Sequence, residues 1–112
     1  MSQERIAIAH EMIARYNAQD LDGYAALMTD DACEALYRGA VLGEGKEGVC
    51  AALAAVFAKF PENRAEIFSS HAAGGTVVLH ERVTRSPGGD QFEVISIYSF
   101  EGDKVSRVEF IR

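Results

Sequence analysis

Positive charge is scarce in this chain. Eleven Lys and Arg side chains stand against seventeen Asp and Glu, leaving a net charge of −6. That deficit argues against a nucleic-acid partner, whose phosphates demand a basic face. Apolar runs long enough to span a bilayer are missing, so no membrane association is expected. The first residues, Met-Ser-Gln-Glu-Arg, lack the cationic start and apolar core of a signal peptide, which makes the cytoplasm the default location. Cysteine is limited to Cys33 and Cys50, without metal-ligand or redox spacing. Both sit among apolar neighbours and read as buried free thiols. No His, Asp or Glu spacing forms a metal site, and neither a metal nor another cofactor is expected. The glycines at 43, 45 and 48 lack the order of a phosphate-binding loop and read as a flexible entry to a helix.

What the chain does have is apolar content, 48% of its 112 residues. That is enough for one domain over residues 1–112 with a small core, and too much for disorder. The stretch from Thr76 onward organises it. Three runs rich in β-branched and aromatic residues are separated by Ser-Pro-Gly-Gly and Glu-Gly-Asp, the pattern of consecutive antiparallel hairpins. Before them, residues 3–18 carry Ile6, Ala9, Ile13 and Tyr16 at helical spacing, widened by Ile8 and Met12. Ser2 is placed to cap that helix, and Glu11 and Arg15 are spaced for a surface pair. Asp20 is placed to cap a short second helix over residues 21–28, which Asp30 and Asp31 stop. Residues 32–38 read as a strand and 39–45 as a loop. A third helix over 46–59 ends at Pro61, with Val49, Leu53, Val56, Phe57 and Phe60 on its apolar stripe. Residues 64–71 read as a strand that Gly74 and Gly75 turn into the hairpins. Helices early and strands late predict an α+β domain, with three helices on one face of an antiparallel sheet.

This order resembles the nuclear transport factor 2-like superfamily and, within it, the SnoaL-like proteins. The resemblance covers nearly the whole chain. Its pieces are Tyr16-Asn17-Ala18-Gln19-Asp20-Leu21-Asp22, Met28-Thr29-Asp30-Asp31-Ala32, Gly45-Lys46-Glu47-Gly48-Val49 and Gly102-Asp103-Lys104-Val105. It implies a cone-shaped domain, a strongly curved sheet wrapping a pocket that helices close, and in many relatives a homodimer through the outer sheet face. Relatives range from ketosteroid isomerases, polyketide cyclases and epoxide hydrolases to non-catalytic modules, so the fold leaves the reaction open.

Strand alternation puts Val78, His80, Arg82 and Thr84 on one face and Val77, Leu79, Glu81 and Val83 on the other. Alternation cannot choose between them. The segment Glu81-Arg82-Val83-Thr84 is similar to a Glu-Arg-Val-Asp segment of limonene epoxide hydrolases, whose arginine and aspartate face the cavity. The resemblance therefore implies that Arg82 and Thr84 face inward with His80 beside them. Thr84 replaces the catalytic acid of those hydrolases and Phe110 their second carboxylate, so epoxide opening is excluded. The expected inward set is completed by Phe92, Val94, Ser96 and Tyr98 on the next strand and by Val108 and Phe110 on the last. His80 and Tyr16 are the candidate catalytic residues. Arg82, Thr84, Tyr98, Phe92, Val94, Val108 and Phe110 are the candidate ligand contacts. Glu34 and Glu109 are candidate acids. The opposite phase would line the pocket with Leu79, Glu81 and Val83 and bring Glu93 and Glu109 under examination.

Two functions remain open from the sequence. One is a SnoaL-like protein that holds a small, largely apolar ligand, with proton transfer of the isomerase, cyclase or dehydratase kind. The other is a non-catalytic dimeric module whose cone is filled by Phe57, Phe60, Phe92 and Phe110. Ile95 and Ile97, on the outer face, would form an apolar patch on a monomer and point to a homodimer.

Overall fold

A computed structural model describes residues 2–112, without the side chain of Ser2, so the expected Ser2 cap lies outside the described residues. The chain runs α1 (Ser2–Asn17), α2 (Leu21–Ala25), β1 (Met28–Leu36), β2 (Val41–Glu44), α3 (Gly45–Lys59), β3 (Arg64–Ala73), β4 (Thr76–Thr84), β5 (Gln91–Glu101) and β6 (Lys104–Ile111). One curved sheet in the order β2-β1-β6-β5-β4-β3 holds all six strands. It is mixed: β1 and β6 pair in parallel, whereas every other neighbouring pair is antiparallel. The α+β cone expected from the sequence is present, and one parallel ladder corrects the wholly antiparallel sheet.

The helices sit on the concave side because that is where their apolar stripes find cover. Ala9, Met12 and Ile13 of α1 are buried, and α1 packs over β3 and β4. Val49 and Phe57 of α3 are buried, and α3 packs over β1 and β2. Helix α1 ends in a left-handed turn at Gln19, with φ 57°. The amide of Asp20 donates to the Arg15 carbonyl at 2.9 Å and that of Gln19 to the Tyr16 carbonyl at 3.0 Å, which satisfies carbonyls the helix end would leave unpaired. The Asp20 carboxylate then accepts from the Gly23 amide at 2.9 Å and caps α2, as its position predicts. Asn17 fastens the end of α1 to β3. Its side chain donates to the Ala65 carbonyl at 2.9 Å and accepts from the Ala65 amide at 2.8 Å.

Three local expectations are corrected. Asp30 and Asp31 do not stop α2; they are exposed in β1, where the register against β6 shifts between Met28 and Cys33. The segment read as a glycine loop contains β2. Its Gly43 is buried against α3, where an added Cβ would lie 2.7 Å from Val49 Cα. The glycine serves close backbone approach and does not mark a loop. Cys33 and Cys50 are free but only half-buried. Gly74 and Gly75, with φ of 57° and 81°, make the tight turn between β3 and β4 that the sequence predicts.

Candidate functional site

The cavity lies between the sheet and α1, α2 and α3, and its volume is about 240 Å³. Register decides which side chains reach it. Along β4 the buried residues are Val77, Leu79, Glu81 and Val83, while His80, Arg82 and Thr84 are half-buried on the opposite, outer face. The expected phase of β4 is therefore inverted. The reason is apolarity: three aliphatic side chains share the face of Glu81, and their burial outweighs keeping one carboxyl in water. Cross-strand pairing closes the matter, because directly opposed residues share a face. Glu81 lies opposite Val94, Val83 opposite Phe92 and Val77 opposite Tyr98.

His80, expected as a catalytic residue, contacts Glu93 at 2.6 Å on the outer face and stacks edge-on against Phe68. Arg82, expected as the cavity's fixed charge, pairs with Glu66 at 2.9 Å and lies over the Phe68 ring. Thr84 and Arg82 border a second, more open depression between α1 and β3, not the cavity. Tyr16, Phe92, Val94, Tyr98 and Phe110 line the cavity. Val108 is fully buried between Glu34 and Tyr98 in the sheet, packed into the core. Glu93 and Glu109 lie on the outer face with His80 and Ile97.

Two carboxyl groups reach the cavity, Glu34 from β1 and Glu81 from β4. The Tyr24 hydroxyl of α2 donates to Glu34, and the Ser96 hydroxyl of β5 donates to Glu81 at 2.6 Å. Burial disfavours their charged forms. It raises Glu34 from the usual 4.5 to about 7, opposed by the Tyr24 hydrogen bond and assisted by the charge of Glu81. It raises Glu81 likewise to about 7, opposed by Ser96. Tyr24 and Tyr98 are held well above the usual phenol value, by burial first and then by these carboxylates. Tyr16 is also raised by burial, against the hydrogen bond from Asn63 and the charge of Arg85. Asn63 donates to the Tyr16 hydroxyl at 2.6 Å and accepts from Arg85 at 2.8 Å, which fixes the tyrosine at the cavity wall.

Apart from Arg112, the rest of the lining is apolar and includes Ile13, Leu42, Leu53, Val56, Val83 and Val94. Among the described residues no group of three or more His, Cys, Asp or Glu side chains converges as a metal site would require. Glu81 was absent from the expected site because its strand was phased by analogy. Its three aliphatic face-mates are the signal that finds it. Glu34 stands out in Ala32-Cys33-Glu34-Ala35-Leu36 as the lone charge in that apolar run of β1.

The two carboxyls make stability fall as pH rises. Each binds a proton more tightly in the folded state than in the unfolded chain, so its contribution is complete below about 4.5 and is lost on passing about 7. Each loss is on the order of 3 kcal/mol. Urea unfolding at pH 5, 6, 7 and 8 should show a declining unfolding free energy for the wild type and a visibly shallower decline for Glu81→Gln. A wild-type profile that is flat or rises over this range contradicts the assignment.

Comparison with known proteins places this architecture. No protein with a curated description matches the sequence significantly. An uncharacterised cystatin-fold protein from Novosphingobium aromaticivorans is 54% identical, superposes with a TM-score of 0.92 and is matched over 100% of this chain and 99% of its own. A proposed polyketide cyclase from Sinorhizobium meliloti is similar at 16% identity, TM-score 0.83, over 99% of both chains. A proposed ketosteroid isomerase from Kribbella flavida is similar at 16% identity, TM-score 0.82, over 97% of this chain and 77% of that one. These last two share the fold. The profile of the SnoaL-like domain matches residues 9–108, nearly the full length, and the chain belongs to that family.

Proposed function

We propose that the cavity binds a small, largely apolar carbonyl compound and that Glu34 and Glu81 move a proton on it. The observation that carries this reading is the pair of carboxyls raised to about 7 in an apolar cavity. Two like charges so placed resist ionising together, which favours one carboxylate and one carboxylic acid near neutral pH. The carboxylate is a base for a proton beside a carbonyl. The carboxylic acid, with Tyr16 at the wall, donates a hydrogen bond to the oxygen on which charge develops. This is chemistry of the isomerase, cyclase or dehydratase kind, with Glu34 and Glu81 in the role that His80 cannot fill from the outer face. The cavity, about 240 Å³, exceeds a cavity of roughly 150 Å³ that holds benzene, so a one-ring or compact two-ring ligand fits.

That volume also supports the second reading, a non-catalytic binding module, because ligand sites usually start at roughly 300 Å³. Phe92 and Phe110 narrow the cavity. Phe57 instead stacks on Tyr16, and Phe60 lies under Lys59 and Arg85.

In the first reading the partner is a small molecule, in the second a filled cone serves a dimeric binding or assembly module, and neither invokes a nucleic acid or a membrane. The protein is read as a cytoplasmic homodimer, with its free cysteines kept reduced. What supports the dimer is the outer face, where His80, Ile95 and Ile111 align across three strands and Val78, Ile97 and Glu109 align beside them. Phe68 and Ile111 are exposed there. Water contact forfeits about 25 cal/mol per Å² of such apolar area.

Two measurements test these proposals. Deuterium exchange beside the carbonyl of small cyclic ketones, followed by NMR in D2O, should be accelerated by the wild type. Glu34→Gln and Glu81→Gln should each lose roughly 100-fold or more of the acceleration. Exchange no faster than buffer, or equally fast in the variants, favours the non-catalytic reading. Sedimentation at micromolar concentration should give twice the 12.2 kDa chain mass, and a clean monomer counts against the dimer.

A further inference from the structure

The mouth of the cavity has a charge that its interior lacks. Phe92 lines the cavity near one end of β5, and two guanidinium groups pack against its ring. The Arg85 carbon Cζ lies 5.0 Å from the ring centroid and the Arg112 Cζ 5.6 Å from it. Arg112 itself lines the cavity and is exposed. Arg85 follows β4 directly, lies 5.3 Å from the Phe60 ring as well, and spends one N–H on Asn63. It does not itself line the cavity, but through that contact it stands beside the Tyr16 hydroxyl and the Phe92 ring, which belong to residues that do.

Both cations are unmatched. Arg15, Lys46, Arg82 and Arg107 meet carboxylates; among the described residues Arg85 and Arg112 form no ion pair, as is true of five other cations, but these two flank the Phe92 ring at the cavity. This occurs in a chain where acidic residues outnumber basic ones by seventeen to eleven. Stacking on aromatic faces holds the guanidinium planes in place and leaves most of their N–H donors free.

We propose that the cavity takes ligands with an apolar body and an anionic tail, a carboxylate, with the body between the sheet and helices and the tail at the mouth on Arg85 and Arg112. This rests on the reading of the cavity as a ligand site and adds the chemical class and orientation of what enters it. The tail would reach guanidinium donors through charge-assisted hydrogen bonds. The opposite end of the ligand would then face the buried carboxyls. Tail capture at the mouth thus fixes which carbon of the ligand meets Glu34 and Glu81.

Calorimetry with 3-phenylpropanoate, its neutral amide 3-phenylpropanamide and acetate tests the proposal. It should be run at pH 6, where Glu34 and Glu81 are mostly neutral. The wild type should bind 3-phenylpropanoate roughly tenfold or more tightly than the amide, the size expected of a hydrogen-bonded charge. Arg85→Gln/Arg112→Gln should erase most of that preference, read as the ratio of acid to amide affinity within the same variant. Arg85→Lys/Arg112→Lys should keep part of the preference. Equal wild-type affinity for acid and amide overturns the anionic tail while the ligand cavity stands. Acetate binding as tightly as 3-phenylpropanoate also overturns it, because the anion would then owe nothing to the cavity. Failure of both aromatic probes to bind overturns the cavity reading and this inference together.

Discussion

The burial of two carboxyl groups in one apolar cavity is the constraint on which the site depends. A carboxylate taken out of water without compensation is costly, and the usual response is a raised pKa and a partner for its oxygens. Both responses occur here. Glu34 and Glu81 are raised to about 7, one bonded by Tyr24 and the other by Ser96. No buried side-chain oxygen or nitrogen is left without a partner among the described residues. A chain selected for stability alone would gain by placing apolar residues of similar volume there. Retaining two destabilising acids in one cavity is the feature on which the proposed proton transfer rests.

The fold brings the two acids together from distant strands. Glu34 is on β1 and Glu81 on β4, and β6 and β5 lie between them in the sheet. The parallel pairing of β1 with β6 sets Glu34 opposite Val108, which in turn lies opposite Tyr98 on β5. Tyr98 faces Val77, two residues before Leu79 and four before Glu81 on the same side of β4. The curvature of the sheet does the rest, turning a row of neighbours into the wall of a cavity. Helix α2 is only five residues long, yet its Tyr24 reaches Glu34, which makes its cap at Asp20 a structural support of the site.

Much of the architecture was legible in the sequence because it is written in local patterns. The stripe of α1, the Asp20 cap, the turn at Gly74-Gly75 and the hairpins after Thr76 each rest on spacing that one element sets by itself. Long-range facts were less legible. Strand β2 was hidden because its Gly43 is small for the sake of α3, a neighbour the local pattern does not show. The phase of β4 was ambiguous because one polar and one apolar choice each left a mixed face. His80, Arg82 and Thr84 look like a site in a row, but they meet Glu93, Glu66 and solvent on the outside. Counting aliphatic partners would have chosen the face of Val77, Leu79 and Val83, and with it Glu81. Tyr16 was legible as an amphipathic residue on a buried stripe, whereas Asn63 and Arg85, which hold it, come from loops with no periodicity to betray them.

The most direct test of the account is carboxyl-carbon NMR of glutamate-labelled protein, titrated from pH 4 to pH 9 with Glu34→Gln and Glu81→Gln used for assignment. The account predicts two resonances whose midpoints lie near 7, with the Glu34 midpoint moving down in Glu81→Gln, because the charge of Glu81 no longer opposes its ionisation. Both resonances titrating near the ordinary glutamate value of about 4.3 would contradict it, since the carboxyls would then be solvated and the cavity would hold no acid and base poised for proton transfer.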